Sequence, residues 1–90
     1  MLHKVYKIHP DAPDLIARAG LTMKAFAERA GIAESTLHAL LNPEQHPHRT
    51  RGGMHRTTAW KIARAYASAA GVTDEQAYTL LIIEERGDEQ

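Results

Sequence analysis

The residues best suited to chemistry in this chain are cations gathered in one stretch. Arg49, Arg51, Arg56, Lys61 and Arg64 lie within residues 45–73, with His46, His48 and His55 among them, and that stretch holds no carboxylate. Beyond Thr73 there are six carboxylates against Arg86 alone. Guanidinium and ammonium groups at this density suit a polyanion, because they neutralise phosphates and release their counterions. A formal net charge of zero over 90 residues therefore conceals a basic middle and an acidic end. Charge alone fits a solvated basic loop beside an unrelated acidic tail equally well. What separates the two is where the chain puts these side chains.

Other chemistries are poorly served. His46-Pro47-His48 with His55 offers metal-ligand residue types, but proline separates two of the candidates, cysteine is absent and Glu44 is the nearby carboxylate. Phosphate or base contacts, strengthened as imidazole gains charge below pH ~6.5, fit these histidines better. There is no Ser/His/Asp motif and no phosphate-cradling glycine loop, and Glu84-Glu85 reads as a solvated helix end. The expectation is a protein that is not an enzyme, with no metal and no cofactor.

Size and composition narrow the class further. Ninety residues make one domain, 43% hydrophobic and 24% charged, with no disulfide to staple it. The apolar run Leu80-Leu81-Ile82-Ile83 is far below the ~18 residues of a membrane span, and no signal-peptide pattern opens the chain. The expected location is the cytoplasm.

Fifteen alanines and six glycines favour helix. Residues 3–8 alternate weakly and are β-branched and aromatic enough for a short strand, but a lone strand finds no partner in this chain. It must pair with its copy in a second chain or lie over the core as an arm. Asp11, with Pro13 in the first turn, opens a helix to about residue 19, with Leu15, Ile16 and Ala19 inward and Gly20 at its end. Thr22 caps a helix over about 23–30 with Phe26, Ala27 and Ala30 on one face, and Gly31 interrupts it. A further helix over about 34–41 turns Leu37, Leu40 and Leu41 inward before Asn42-Pro43 stops it.

Residues 42–55 have no helical period and form a loop long for a compact domain. The period returns over about 56–70 in Ala59, Ile62, Ala63, Tyr66, Ala67 and Ala70, with Trp60 at the edge. Gly71 ends that helix, and Thr73-Asp74-Glu75-Gln76 is a capping box for a last helix carrying Ala77, Tyr78, Leu80, Leu81, Ile82 and Ile83. The expected fold is all-α, with five helices. An arm or strand occupies residues 1–10, the domain 11–85 and an acidic tail 86–90.

The stretch 21–41 carries a tighter set of constraints. Ala27 is small where two helices must touch and stands four positions before the glycine of the turn, Ile32 plugs the corner, and Leu37 and Leu40 close the second helix on the first. That is what a helix-turn-helix requires if its second helix is to enter a major groove. Here the sequence resembles the lambda-repressor/Cro-like, or XRE-type, helix-turn-helix regulators, over roughly residues 14–83. The resemblance implies that Thr22 and Lys24 meet the phosphate backbone, and that Ala33, Glu34, Ser35, Thr36, His38 and Ala39 face the bases. Three features depart from the family: Met23 replaces a customary phosphate-bracing glutamine, Ala33 replaces a capping serine, and the loop after Leu41 is longer and more basic.

The proposed reading helix has no Arg, Lys, Asn or Gln before Asn42, so it lacks the strong bidentate partners of guanine and adenine. Glu34 accepts from cytosine, Ser35 and Thr36 adapt, His38 donates, and Ala33 and Ala39 suit thymine methyls. Affinity then falls mainly to the loop and the start of the next helix, through Asn42, His46, His48, Arg49, Arg51, Arg56 and Lys61, with the acidic final helix and tail turned away from the nucleic acid.

The apolar last helix wants cover, so Tyr78, Leu81 and Ile82 with Val5 and Tyr6 are expected at a homodimer interface, the N-terminal strand within the monomer being the other possible cover. The expected activity is a small dimeric repressor on a near-palindromic double-stranded operator, with control through concentration or a partner protein. The competing reading is a protein-interaction module on the same scaffold without DNA binding, which Glu34 permits. If Arg49, Arg51, Arg56 and Lys61 hold phosphates, log K against log salt falls with a slope of roughly −3 to −4 per subunit, by ~0.9 per contact. A slope near zero in a salt titration removes that assignment.

Overall fold

In the computed structural model, which describes residues 4–42 and 54–86, five helices pack around one core and a two-stranded sheet closes over them. The order is β1 (Lys4–Ile8), α1 (Ala12–Arg18), α2 (Met23–Ala30), α3 (Glu34–Leu41), α4 (Arg56–Ala70), α5 (Asp74–Leu81) and β2 (Ile82–Arg86). Phe26, Ile16, Leu37, Ile62 and Leu81 are the large side chains sealed in the centre. Between them Ala12, Ala27, Ala59, Ala63 and Ala77 are buried too. Residues this small let α2, α4 and α5 approach closely, and the loss of side-chain entropy on burial is nil for alanine.

The helix boundaries follow from local chemistry. Thr22 accepts a hydrogen bond from the Ala25 N–H at 3.1 Å, and Gly31 closes α2 in the left-handed conformation at φ 73°. The capping box forms in both directions: the Gln76 N–H donates to the Thr73 hydroxyl and the Thr73 N–H to the Gln76 amide, each at 3.1 Å. On α4 the stripe Ala59, Ile62, Ala63, Tyr66 and Ala67 is buried as its period requires, joined by Ala65, while Ala70 in the last turn is exposed.

The two strands correct the sequence reading. β1 has a partner in its own chain, pairing antiparallel with β2 from Lys4 opposite Arg86 to Ile8 opposite Ile82. The last helix stops at Leu81, because the consecutive β-branched Ile82 and Ile83 are poor in helix and good in a sheet. Glu84, Glu85 and Arg86 thus belong to a strand, not to a helix end and tail. The switch is fixed by the His9 N–H, which donates to the Leu81 carbonyl at 2.7 Å. Lys7 reaches diagonally to Glu85 at 3.1 Å, a half-exposed pair worth under about 1 kcal/mol.

The same pairing covers the apolar end of α5. Leu81 is fully buried and Ile82 is 6% exposed, so neither is available to a second subunit, and their expected place at a dimer interface is withdrawn. Of the other three expected there, Tyr78 stacks on Trp60 with ring centroids 4.2 Å apart, and Val5 and Tyr6 are half-buried in β1. Met54 adds a single bridge on the outer side of β1, its N–H donating to the Tyr6 carbonyl at 2.9 Å.

A side chain added at Gly31 would meet nothing within 4 Å, so only its positive φ opposes substitution. Gly31→Ala is expected to lower unfolding free energy by about 1 kcal/mol, and Gly31→Asn by less, since asparagine tolerates this conformation. Urea denaturation of the two variants tests this; an alanine variant as stable as the parent contradicts it.

Candidate nucleic-acid interface

The turn between α2 and α3 is short and locked. Gly31 returns its N–H to the Ala27 and Glu28 carbonyls, and the next N–H, of Ile32, also bonds Ala27, at 3.0 Å. Ala33 then stands extended as the first residue of α3's cap, without a side-chain cap bond. The carboxylate of Glu34 in the first turn compensates in part, facing the positive end of the helix. Leu37 and Leu40 are buried, so the orientation of α3 is set by the core.

Of the residues expected to face bases, Ala33, Glu34, Ser35 and His38 are exposed and Thr36 is half-buried. Ala39 is not available: its side chain is fully buried. α3 packs against β1 as well as α2, and a helix covered from two sides presents a narrower stripe than a two-helix corner would. Within that stripe His38 Nε2 lies 3.6 Å from a Glu34 carboxylate oxygen one turn away, an ionic contact when the imidazole is protonated. Asn42, at the end of α3, gives its side-chain N–H to the His38 carbonyl at 3.1 Å and so finishes the helix. At the start of α2, Thr22 and Lys24 are exposed. His46, His48, Arg49 and Arg51 lie outside the described residues.

The cations converge on α4. Arg56, Thr57, Trp60, Lys61 and Arg64 line a groove of about 530 Å³, and Arg29, Ala30, Lys61, Arg64, Ala65 and Ser68 line a second cleft of about 240 Å³. Arg56 and Lys61, expected at the interface from the sequence, and Arg64 of the same basic stretch are thus joined by Arg29, which was not. The spacing 56, 60, 61, 64 and 68 already puts the α4 members on one helix face. Arg29 arrives through the packing of α2 on α4 and has no local signal in the sequence. No residue of α3 lines either depression.

Two contacts orient these cations. The Arg29 guanidinium donates to the Ser68 hydroxyl at 3.3 Å, and Arg64 Nε lies 3.7 Å from an Asp74 carboxylate oxygen. The second corrects the expectation that the acidic final helix lies apart from the basic residues: α5 packs along α4 and brings Asp74 to the edge of the cleft. The groove wall is held from behind, where Tyr78 stacks on the indole of Trp60 and donates its hydroxyl to Glu84 at 2.6 Å. Burial, the hydrogen bond to Glu84 and that carboxylate's charge, with a smaller effect of Tyr6, hold the Tyr78 phenol well above its ordinary pKa of 10.0, against a small opposing pull from Arg56.

Comparison with protein-family models, curated proteins and solved structures finds no match to this chain. Because the folded phenol resists ionisation, the stability it confers is complete below pH 10 and declines as pH rises above that value. The parent protein should lose stability between pH 9 and pH 11 relative to Tyr78→Phe, in paired urea denaturations. Parallel pH profiles for the two proteins contradict this assignment.

Proposed function

We propose that this chain is a sequence-specific double-stranded DNA-binding regulator, a small dimeric repressor of phage, plasmid or antitoxin type on a lambda-repressor-like scaffold. The observation that carries the reading is the α2–turn–α3 unit. A capped helix, a left-handed glycine and a second helix anchored by Leu37 and Leu40 leave Glu34, Ser35 and His38 presented together on one outer stripe. In this reading α3 enters the major groove, Ser35 and His38 meet base edges, and Glu34 accepts from a cytosine amino group. Thr22 and Lys24 steady the adjacent phosphates, while Arg56 and Lys61 hold the backbone from the start of α4.

Dimerisation is part of the proposal. With Leu81 and Ile82 internal, the apolar surface that supports it is Leu80, 43% exposed, above a depression lined by Val72, Glu75, Gln76 and Thr79. A two-fold arrangement sets the reading helices about one turn of duplex, ~34 Å, apart. The second reading, a protein-interaction module, draws on the acidic and narrow stripe of α3, since Glu34 repels phosphate and Ala39 is lost to the interior.

Selection from random duplexes, followed by binding measurements on the enriched site, tests the proposal. A near-palindromic sequence is expected. Ser35→Ala should cost about tenfold on that site by losing a base contact worth ~1–3 kcal/mol, whereas Lys24→Ala should weaken every sequence alike. Failure to enrich any sequence, with no salt-sensitive duplex binding, would leave the interaction module as the better reading.

A further inference from the structure

The α4 face has more cations than a backbone contact for α3 requires, and they surround an aromatic ring. Arg56, Lys61 and Arg64 border the groove together with Thr57 and the ring of Trp60, and Lys61 and Arg64 also border the second cleft with Arg29 and Ser68. The stripe from Arg56 to Ser68 runs the length of twelve helical steps, about 18 Å. Among the described residues neither depression is lined by a carboxylate, and Asp74 touches Arg64 from the rim. That contact joins two well-exposed groups and is screened by solvent, so a phosphate displaces it readily.

From this arrangement we propose a second binding site, formed by α4 and the end of α2, for single-stranded nucleic acid, with phosphates on Arg29, Arg56, Lys61 and Arg64 and an unpaired base against Trp60. The cations alone would serve any polyanion. The indole decides the class. Tyr78 occupies one face of Trp60 and fixes the ring, and the ring then forms a rigid wall of a groove otherwise lined by cations and a threonine hydroxyl. An aromatic platform inside a basic track recognises the flat face of a base, which a duplex keeps stacked inside and an acidic peptide does not possess. The small floor of the second cleft, Ala30 and Ala65, lets the strand lie close to the backbone of α2 and α4. Ser68 holds the Arg29 guanidinium in place for the next phosphate.

This site shares Arg56 and Lys61 with the proposed duplex contact but takes nothing from α3, so Trp60, Arg29 and Arg64 on one side and Lys24 and Ser35 on the other tell the two readings apart. Trp60 is the chain's one tryptophan, so its emission reports on the groove directly. The full-length protein is titrated with a twelve-nucleotide oligothymidylate, following Trp60 quenching and the anisotropy of labelled oligonucleotide at several salt concentrations. Binding should quench Trp60, and log K should fall against log salt with a slope of about −3 for four phosphate contacts on a single strand. Arg29→Ala and Arg64→Ala should each weaken binding about fivefold and flatten the slope by ~0.7, with thermal melts unchanged, since both side chains are exposed. Lys24→Ala and Ser35→Ala should leave oligothymidylate binding as it was, whatever they do to duplex binding. The proposal is overturned by unquenched Trp60, by binding indifferent to Arg29→Ala and Arg64→Ala, or by equal quenching from a duplex of the same length. Equal competition by a twelve-residue polyglutamate would likewise overturn it and make the surface one for acidic protein segments.

Discussion

The pairing of β1 with β2 is the interaction on which the other elements depend. A two-stranded ribbon in water is marginal, and this one is held because Ile82 is buried against the helices and the Leu81 carbonyl is taken by His9. It joins segments from opposite ends of the described chain, so the helices between them are enclosed in one cooperative unit. From it follow the end of α5, the cover over Leu81, and, through Met54 on the far side of Tyr6, the position from which α4 begins. Glu84 of β2 then reaches Tyr78, Tyr78 supports Trp60, and the wall of the α4 groove is set by the sheet at one remove.

Charge separation along the chain translates only partly into separation in space. Asp74 and Glu75 stand in the first turn of α5, where the helix dipole favours them, and Asp74 meets Arg64 there. Glu84 accepts from Tyr78 and Glu85 pairs with Lys7. These carboxylates are used in building the domain rather than held apart as a counterweight. The cations of α4, with Arg29, are left as a face of one sign beside them, and the zero net charge is the outcome of two different uses of charge.

Much of the helical scaffold is legible because its signals are local. Thr22 and Gly31 bracket α2, the Thr73 capping box starts α5, and the stripe from Ala59 to Ala67 gives α4 its inner face, all within a few residues of sequence. What was hidden is what tertiary contact decides. The run Leu80-Leu81-Ile82-Ile83 satisfies a helix and a buried strand equally, and only a partner strand breaks the tie at Ile82. Ala39 is chemically suited to a thymine methyl or to an interior, and the folded chain buries it completely. Arg29 reads as a solvated residue of α2 until α4 is packed beside it.

Asn42 and Met54 are each fastened to the folded body, the first to the His38 carbonyl through backbone and side chain, the second to Tyr6 in β1. The end of α3 and the approach to α4 are therefore both pinned. Both α3 and α4 also pack on the same two neighbours, α2 and β1, so the placement of one helix relative to the other is set by the body of the domain. A substitution that loosens β1 therefore moves the two helices together, and with them both surfaces that carry the exposed polar and cationic side chains.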